Sequence, residues 1–368
     1  MQKVRLKDVC ESIFAGGDVP VNRWAKQKNN LYNIPIYTNG EKNNGLYGYT
    51  TESKINKPCV TISARGTIGY SVIRKEPFYP AIRLITVIPK SNCLDLGYLC
   101  NYLNLYSFSK SGTSIPQLTV PDVKNLVLYL PELNQQKSIS KKIDKINQII
   151  SYRKCQLEKL DELIKSKFTE MFGDPQLNEK SWKRALLKDI AIGKLSYGSG
   201  ASAIPYDGVT RYIRITDILG NGELSNDIKS PSQIDEKYIL HNGDILFARS
   251  GATVGKTLCY NENMGKAIYA GYLIRLVPNP DKVLPIYVYY YTKTDYYKDF
   301  IQSNQKIVAQ PNINAQEYGD LLICLPALDL QNQFADFVEK VEALKSKVKQ
   351  SLAQLEVLKK SLMQKYFG

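Results

Sequence analysis

Two glycine-containing loops carry the side chains best suited to meet a polyanion. Ala64-Arg65-Gly66-Thr67-Ile68-Gly69 and Ala248-Arg249-Ser250-Gly251-Ala252-Thr253-Val254-Gly255-Lys256 each bring together a guanidinium, a hydroxyl and glycine. That combination lets a backbone approach phosphates or base edges closely. Arg65, Thr67, Arg249, Ser250, Thr253 and Lys256 are therefore candidate contacts, against the plainer reading of a turn between two strands. A second pair of segments, Ser114-Ile115-Pro116-Gln117 and Ala309-Gln310-Pro311-Asn312-Ile313-Asn314, supplies amides. Gln117, Gln310 and Asn312 have the donor and acceptor pair that an adenine edge needs, and the alternative is turn or capping amides. Arg211 and Arg214 flank a predicted strand and are further candidates, against a solvated face.

Catalytic chemistry has little to work with. The single histidine, His241, precedes the turn Asn242-Gly243-Asp244 and reads as an ordinary loop residue, so serine or cysteine triads and multi-histidine metal sites have almost nothing to work with. Gly251 to Thr257 imitates a phosphate loop but has one residue too few between its glycines, and Ser250 stands where the first glycine belongs. Asp217 with Asp235-Glu236-Lys237 imitates a metal-dependent nuclease, but the first half of the chain has no counterpart. No Asn-Pro-Pro-Tyr or Asp-Pro-Pro-Tyr run is present, so the adenine pocket of an N6-methyltransferase is not expected. Tyrosine is abundant, at 26 residues, with a dense run at Tyr287, Tyr289, Tyr290, Tyr291, Tyr296 and Tyr297. Packing of a helix on a sheet explains such a run more simply than base stacking. No catalytic residue, metal ligand or resident cofactor is expected.

A net charge of +14 over 368 residues, with a pI near 9.2, points to two or more domains and a polyanionic partner. The seven cysteines are scattered and never form CxxC, which fits a reducing cytosol better than disulfides or a zinc ribbon. The start, MQKVRLKDVCES, has no apolar core of a signal peptide, and no run of about 18 apolar residues occurs. A cytoplasmic protein without membrane contact is the expectation.

An internal repeat positions the loops. Leu157 to Gly173, LEKLDELIKSKFTEMFG, returns as Leu352 to Gly368, LAQLEVLKKSLMQKYFG, with numbers differing by 195 throughout (352 less 157, 368 less 173). Apolar residues at steps of three and four predict two long helices whose narrow stripes pair with each other. The predicted seam is Ile143, Ile146, Ile150, Leu157, Leu160 and Ile164 against Val338, Val341, Leu344, Val348, Leu352 and Leu355. Each helix follows a proline, Pro131 or Pro326, and ends at a glycine, Gly173 or Gly368, suited to a left-handed cap. A chain that leaves along one helix and returns along the other makes the pair antiparallel.

Residues 1–131 read as a mixed α/β unit, 132–174 as the central helix, 175–326 as a second unit of the same design and 327–368 as the C-terminal helix. Landmarks recur in order: Leu6-Lys7-Asp8-Val9 with Leu187-Lys188-Asp189-Ile190, Ile34 to Thr38 with Tyr212 to Thr216, and Ala64-Arg65 with Ala248-Arg249. The fold class expected is α/β (α+β), pseudo-twofold, with two similar globular domains joined by antiparallel coiled-coil helices.

This order of unit, helix, similar unit and matching helix, with ARGTIG, ARSGATVGK and the Leu-Pro that opens each helix, resembles the specificity subunit of type I restriction-modification enzymes. The resemblance covers essentially the whole chain. It implies two target-recognition domains, each reading half of a split, asymmetric site on double-stranded DNA. It also implies that the helices set the spacing and dock two methyltransferase subunits, with restriction subunits added in the full complex. S-adenosylmethionine, ATP and Mg²⁺ would belong to those partners. A rod of roughly 60 Å spans at most about 18 base pairs, which suits a bipartite site. The competing readings are a stand-alone nuclease built on Asp217 and Asp235, and a coiled-coil scaffold that binds DNA without sequence preference.

Overall fold

The computed structural model describes residues 2–106, 117–304 and 311–367. The chain divides into two compact units, Met1–Cys155 with Lys349–Gly368, and Gln156–Val348. The two long helices, Leu133–Phe172 and Leu328–Phe367, are thus each divided between the units, rather than forming segments of their own.

In the first unit a four-stranded antiparallel sheet has the order Cys10–Ala15, Ile85–Pro89, Cys59–Ile62, Ser71–Arg74. Cys59–Ile62, sequence CVTI, is buried at all four residues because it lies between two neighbours and under helix Leu96–Leu105. A smaller sheet joins Trp24–Ala25, Leu46–Thr50, Ile34–Tyr37 and Tyr79–Pro80, the last pair parallel. Gln2–Arg5 pairs with Val127–Leu130 just before the first long helix.

The second unit repeats the plan. Its main sheet runs Ser196–Tyr197, Leu273–Leu276, Ile245–Ala248, Thr257–Cys259, and Lys183–Leu186 pairs with Leu322–Leu325 as Gln2–Arg5 pairs with Val127–Leu130. Tyrosines fix a helix to that strand pair in both: Tyr98 and Tyr102 donate to the carbonyls of Tyr129 and Val127, and Tyr287 and Tyr291 to those of Cys324 and Leu322. Tyr287, Tyr291 and Tyr297 are core residues, so the dense tyrosine run packs the interior.

Two landmark pairings are corrected by hydrogen-bond register. Ala81 donates to Tyr37 O as Ala270 donates to Ile213 O, which places Tyr37 opposite Ile213 and not Ile215. Ser63 N bonds Tyr70 O as Ala248 N bonds Lys256 O, and Leu118 N bonds Ala64 O as Ile313 N bonds Arg249 O. Arg249 therefore occupies the place of Ala64, and Arg65 answers to Ser250. One extra residue in the second loop lets the letters ARG and ARS align while the strands feeding them do not.

The helices run antiparallel within each unit taken alone. In the first, Lys154 lies 4.0 Å from Glu356, while Met363, Tyr366 and Phe367 share a core with Ile139 and Ile143. In the second, Asp161 bridges Lys345 at 2.7 Å, while Phe168 and Phe172 pack on Phe334, each with ring centres 5.4 Å apart. Ile143, Ile146, Ile150, Ile164, Val338, Val341 and Val348 are buried, and Leu157, Leu160, Leu352 and Leu355 are half-buried.

Leu344 departs from the expected seam and is 51% exposed. The seam position falls to Lys345, whose stem is buried and whose ammonium meets Asp161 and Glu342, both at 2.7 Å. Burial alone would lower the Lys345 pKa, but the hydrogen bonds to Asp161 and Glu342 outweigh it and raise the pKa. A fully buried glutamine opens each helix. Gln136 donates to Pro131 O and Cys93 O and accepts from Asp95 N; Gln331 donates to Pro326 O and accepts from Leu284 N. The first helix closes at Gly173, φ 77°, and the Trp182 indole donates to Phe172 O.

Candidate nucleic-acid interface

Both units place the glycine loop against the amide segment by backbone bonds. In the first unit Leu118 N reaches Ala64 O at 2.9 Å, and the Arg65 guanidinium forks onto Gln117 Oε1 through Nε at 3.1 Å and Nη2 at 2.8 Å. That contact holds the inner edge of Arg65 and leaves its outer Nη1–Nη2 edge for a bidentate acceptor. Arg65 and Thr67 are exposed, and Gln117 is half-buried.

In the second unit Ile313 N reaches Arg249 O at 2.9 Å, and Ser250 bridges Asn312 in the position of Arg65 and Gln117. Ser250 is buried, whereas Asn312 is exposed. Arg249, one residue out of step with Arg65, is half-buried and lies over the Tyr197 ring at 4.7 Å. Its Nε, enclosed by the protein, makes no hydrogen bond. Tyr197 is itself fixed, because its hydroxyl accepts from Ala315 N at 3.1 Å.

The other candidates are more constrained. Thr253 Oγ1 donates to Ser250 O, and the Lys256 ammonium donates to Ile218 O at 3.0 Å, so both brace their own loop. Arg211 donates to Ser225 O, and burial lowers its pKa. Arg214 grips Asp217 through Nε and Nη2 at 3.0 and 2.6 Å and also meets Asp227, hydrogen bonds that raise its pKa. Gln310 lies outside the described residues.

The nuclease alternative loses its carboxylates to the same bonds. Asp217 is 1% exposed and serves Arg214, and Asp235 caps a short turn while bridging Lys237 at 2.8 Å. Among the described residues no three His, Cys, Asp or Glu side chains cluster as a metal site, and no helix is long and apolar enough to cross a membrane.

The family model described as the type I restriction modification DNA specificity domain matches residues 1–162 and 179–357. The chain belongs to that family. A type I specificity subunit of Mycoplasma pneumoniae is 33% identical over 161 residues, 44% of each chain, and a second from that organism is 32% identical over 140 residues, 38% of this chain and 41% of its own length. The chain thus spans less than half the length of these two relatives. The EcoBI specificity subunit of Escherichia coli is 22% identical over 302 residues, covering 73% of this chain and 63% of its own. A solved S subunit of a type I restriction-modification system from M. genitalium shares the fold, with a TM-score of 0.61 at 15% identity over 100% of this chain and 96% of that one.

In this specificity-domain chain the helix pairs have two unlike shoulders. Ile149 and Leu358 in the first unit, 40% and 47% exposed, and Leu163 and Leu344 in the second, 47% and 51% exposed, directly precede Ile150, the half-buried Lys359, Ile164 and Lys345 on the inner stripe of their helices. Such positions fall on one shoulder of an antiparallel pair, and the charged Lys154, Glu356 and Asp161 follow the half-buried Arg153, Leu355 and Leu160 on the other. The 195-residue repeat relates Ile149 to Leu344 and Leu163 to Leu358. Sequence patterning missed this shoulder because the seam and its neighbour are both apolar at Ile149-Ile150.

Proposed function

We propose that this chain is the non-catalytic DNA reader of a type I restriction-modification complex. Each unit reads one half of a split, asymmetric site. The observation that carries the reading is the repeated junction of glycine loop and amide segment, built twice on one scaffold but tipped with different side chains: Arg65 and Gln117 in one, Asn312 with Arg249 on Tyr197 in the other. A shared scaffold brings both junctions to corresponding places, and unlike tips supply unlike base preference. Arg65, Thr67, Gln117, Arg249 and Asn312 are the base-reading candidates, with Ser250, Thr253 and Lys256 shaping the loop and Arg211 and Arg214 shaping its surroundings.

The paired helices set the spacing of the half-sites and dock two methyltransferase subunits, to which restriction subunits add. The apolar shoulder fits that role, since one partner surface would meet Ile149 with Leu358 and again Leu344 with Leu163. S-adenosylmethionine, ATP and Mg²⁺ belong to the partners, and the complex acts in the cytoplasm.

Co-expression with the matched methyltransferase subunit in a methylation-free host, followed by single-molecule mapping of modified adenines, tests the reading. A split motif with one modified adenine on each strand, lost when this chain is omitted, is the expected result. Methylation that is independent of this chain, in the presence of an active partner, would refute it.

A further inference from the structure

A strained turn beside the Arg65 loop was invisible in the sequence. Ile82 and Arg83 are consecutive residues in the left-handed region, at φ 51° and 60°. A β-branched residue rarely adopts that conformation, and two successive non-glycine residues persist there only where the surroundings fix them. The surroundings here do so. Gly16 N bonds Leu84 O at 2.9 Å, Ile82 N bonds Gly17 O at 2.7 Å, and Arg83 N bonds Gly16 O at 3.1 Å. A Cβ on Gly16 would collide with the Pro80 carbonyl, so that glycine is required for the approach.

Nothing in the turn's packing accounts for its side chains. Ile82 is 41% exposed, Arg83 is exposed, and the Arg83 guanidinium makes no hydrogen bond or ion pair among the described residues. The turn is instead tied to the candidate interface. Asn39 donates from Nδ2 to Ile82 O at 2.6 Å and accepts at Oδ1 from Ala64 N at 2.7 Å, so one amide joins the turn to the residue before Arg65.

The second unit builds the same junction with other residues. Gly198 N bonds Leu273 O and Gly271 N bonds Ser199 O, which places Gly271-Tyr272 where the first unit has Ile82-Arg83. There the turn meets the loop directly, with Arg249 N bonding Tyr272 O at 3.1 Å, and Tyr272 is 61% exposed. One scaffold position thus carries an exposed aliphatic and a free cation in one unit, and an exposed aromatic in the other.

We propose that the Ile82-Arg83 turn is a specificity-determining element of the first unit, with Gly271-Tyr272 its counterpart in the second. Arg83 takes a base edge next to the one facing Arg65, and Ile82 lies against an apolar base feature such as a thymine methyl, a pairing that major-groove chemistry favours. The inference rests on the DNA-reading function above.

The test maps methylated motifs for the full chain with its methyltransferase, comparing wild type, Ile82→Gly, Arg83→Ala and Arg83→Gln, and follows melting of each variant. Glycine suits the left-handed backbone and Arg83 is exposed, so all variants should melt close to wild type. One half of the motif should stay unchanged while the other relaxes at one or two base pairs. The preference for the cognate over a single-mismatch site should fall roughly tenfold for Arg83→Ala. An unchanged motif and preference in folded variants would reduce the turn to scaffolding. Uniform weakening at all sites, with the salt slope lowered by about one, would assign Arg83 to a phosphate and overturn its part in selection. Wild-type methylation that ignores this chain would overturn the parent reading and the turn with it; a wild-type motif that persists in every variant would overturn only the turn.

Discussion

The two units keep the same framework of strand pairs and anchoring side chains and differ most at the tips. The register of the closing strand pair, the tyrosines that hold it and the glutamine opening each long helix are equivalent in both. The loops facing outward are not. Arg65 stands free on Gln117, whereas the second unit buries Ser250 at that point and moves its arginine one residue back onto Tyr197. Side chains that close a core are constrained by volume and by buried polar groups, while exposed tips are free to change with the surface they meet.

The largest expected effect lies where the units join their helices. Phe168 is 2% exposed and packs on Phe172, Tyr287, Tyr291 and Phe334, while Met363 holds the equivalent place in the first unit. Phe168→Ala should cost about 3–5 kcal/mol and Met363→Ala about 2–5 kcal/mol, toward the lower end, in urea unfolding of the purified chain. A Phe168→Ala cost no larger than that of Met363→Ala would deny that the aromatic cluster adds to the second junction.

Gln331→Leu keeps the volume but strands the Leu284 N–H and a Pro326 carbonyl lone pair, and should cost about 2–3 kcal/mol. Gln136→Leu should cost at least as much, because the bond it loses to Cys93 O, 2.9 Å, is shorter than the equivalent Gln331 bond to Lys282 O, 3.5 Å. A neutral result at either site would break the structural equivalence of the two openings.

The tips should separate by half-site. Arg65→Ala should relax one half of the recognised motif and Tyr197→Ala the other, each by about 1–2 kcal/mol of discrimination, read from methylation rates at single-mismatch sites. Tyr197→Phe should fall between Tyr197→Ala and wild type, since it keeps the ring under Arg249 and loses only the bond from Ala315 N.

The smallest effect concerns a charge present in one unit only. Asn104 bonds both backbone groups of Ser71, and its counterpart Lys293 donates to Thr257 Oγ1 at 2.9 Å over the Tyr289 ring. Burial, with Lys165 nearby, lowers the Lys293 pKa to about 8 from 10.5. Between those values the unfolded chain holds the proton that the folded chain has released, so stability rises with pH across that window. Lys293→Met should therefore stabilise the chain by about 1–2 kcal/mol at pH 7, with the gain shrinking toward pH 10. A gain independent of pH would trace to packing instead of charge.

The helices and their antiparallel return were legible because a three-four apolar step, a proline before and a glycine after are local signals, and a 195-residue repeat needs no structure to be seen. Leu344 was misplaced for the same reason: hydropathy rewards a leucine, whereas the heptad rewards Lys345, whose stem is apolar and whose charge finds Asp161 and Glu342. Gln136 and Gln331 gave no signal, because a polar residue at a helix start reads as solvated until its three partners are seen.

The sequence by itself determined the two-unit plan, the long helices, the basic charge and the loops that carry arginine and amides. The tertiary structure alone decided which cations are free. It committed Arg214 to Asp217, braced Lys256 on Ile218, set Arg249 one step from Arg65 and exposed Ile82 and Arg83 on a strained turn. The reason is that composition and periodicity are properties of neighbours along the chain, whereas a guanidinium is free or spent according to acceptors that folding brings from 3 to 52 residues away.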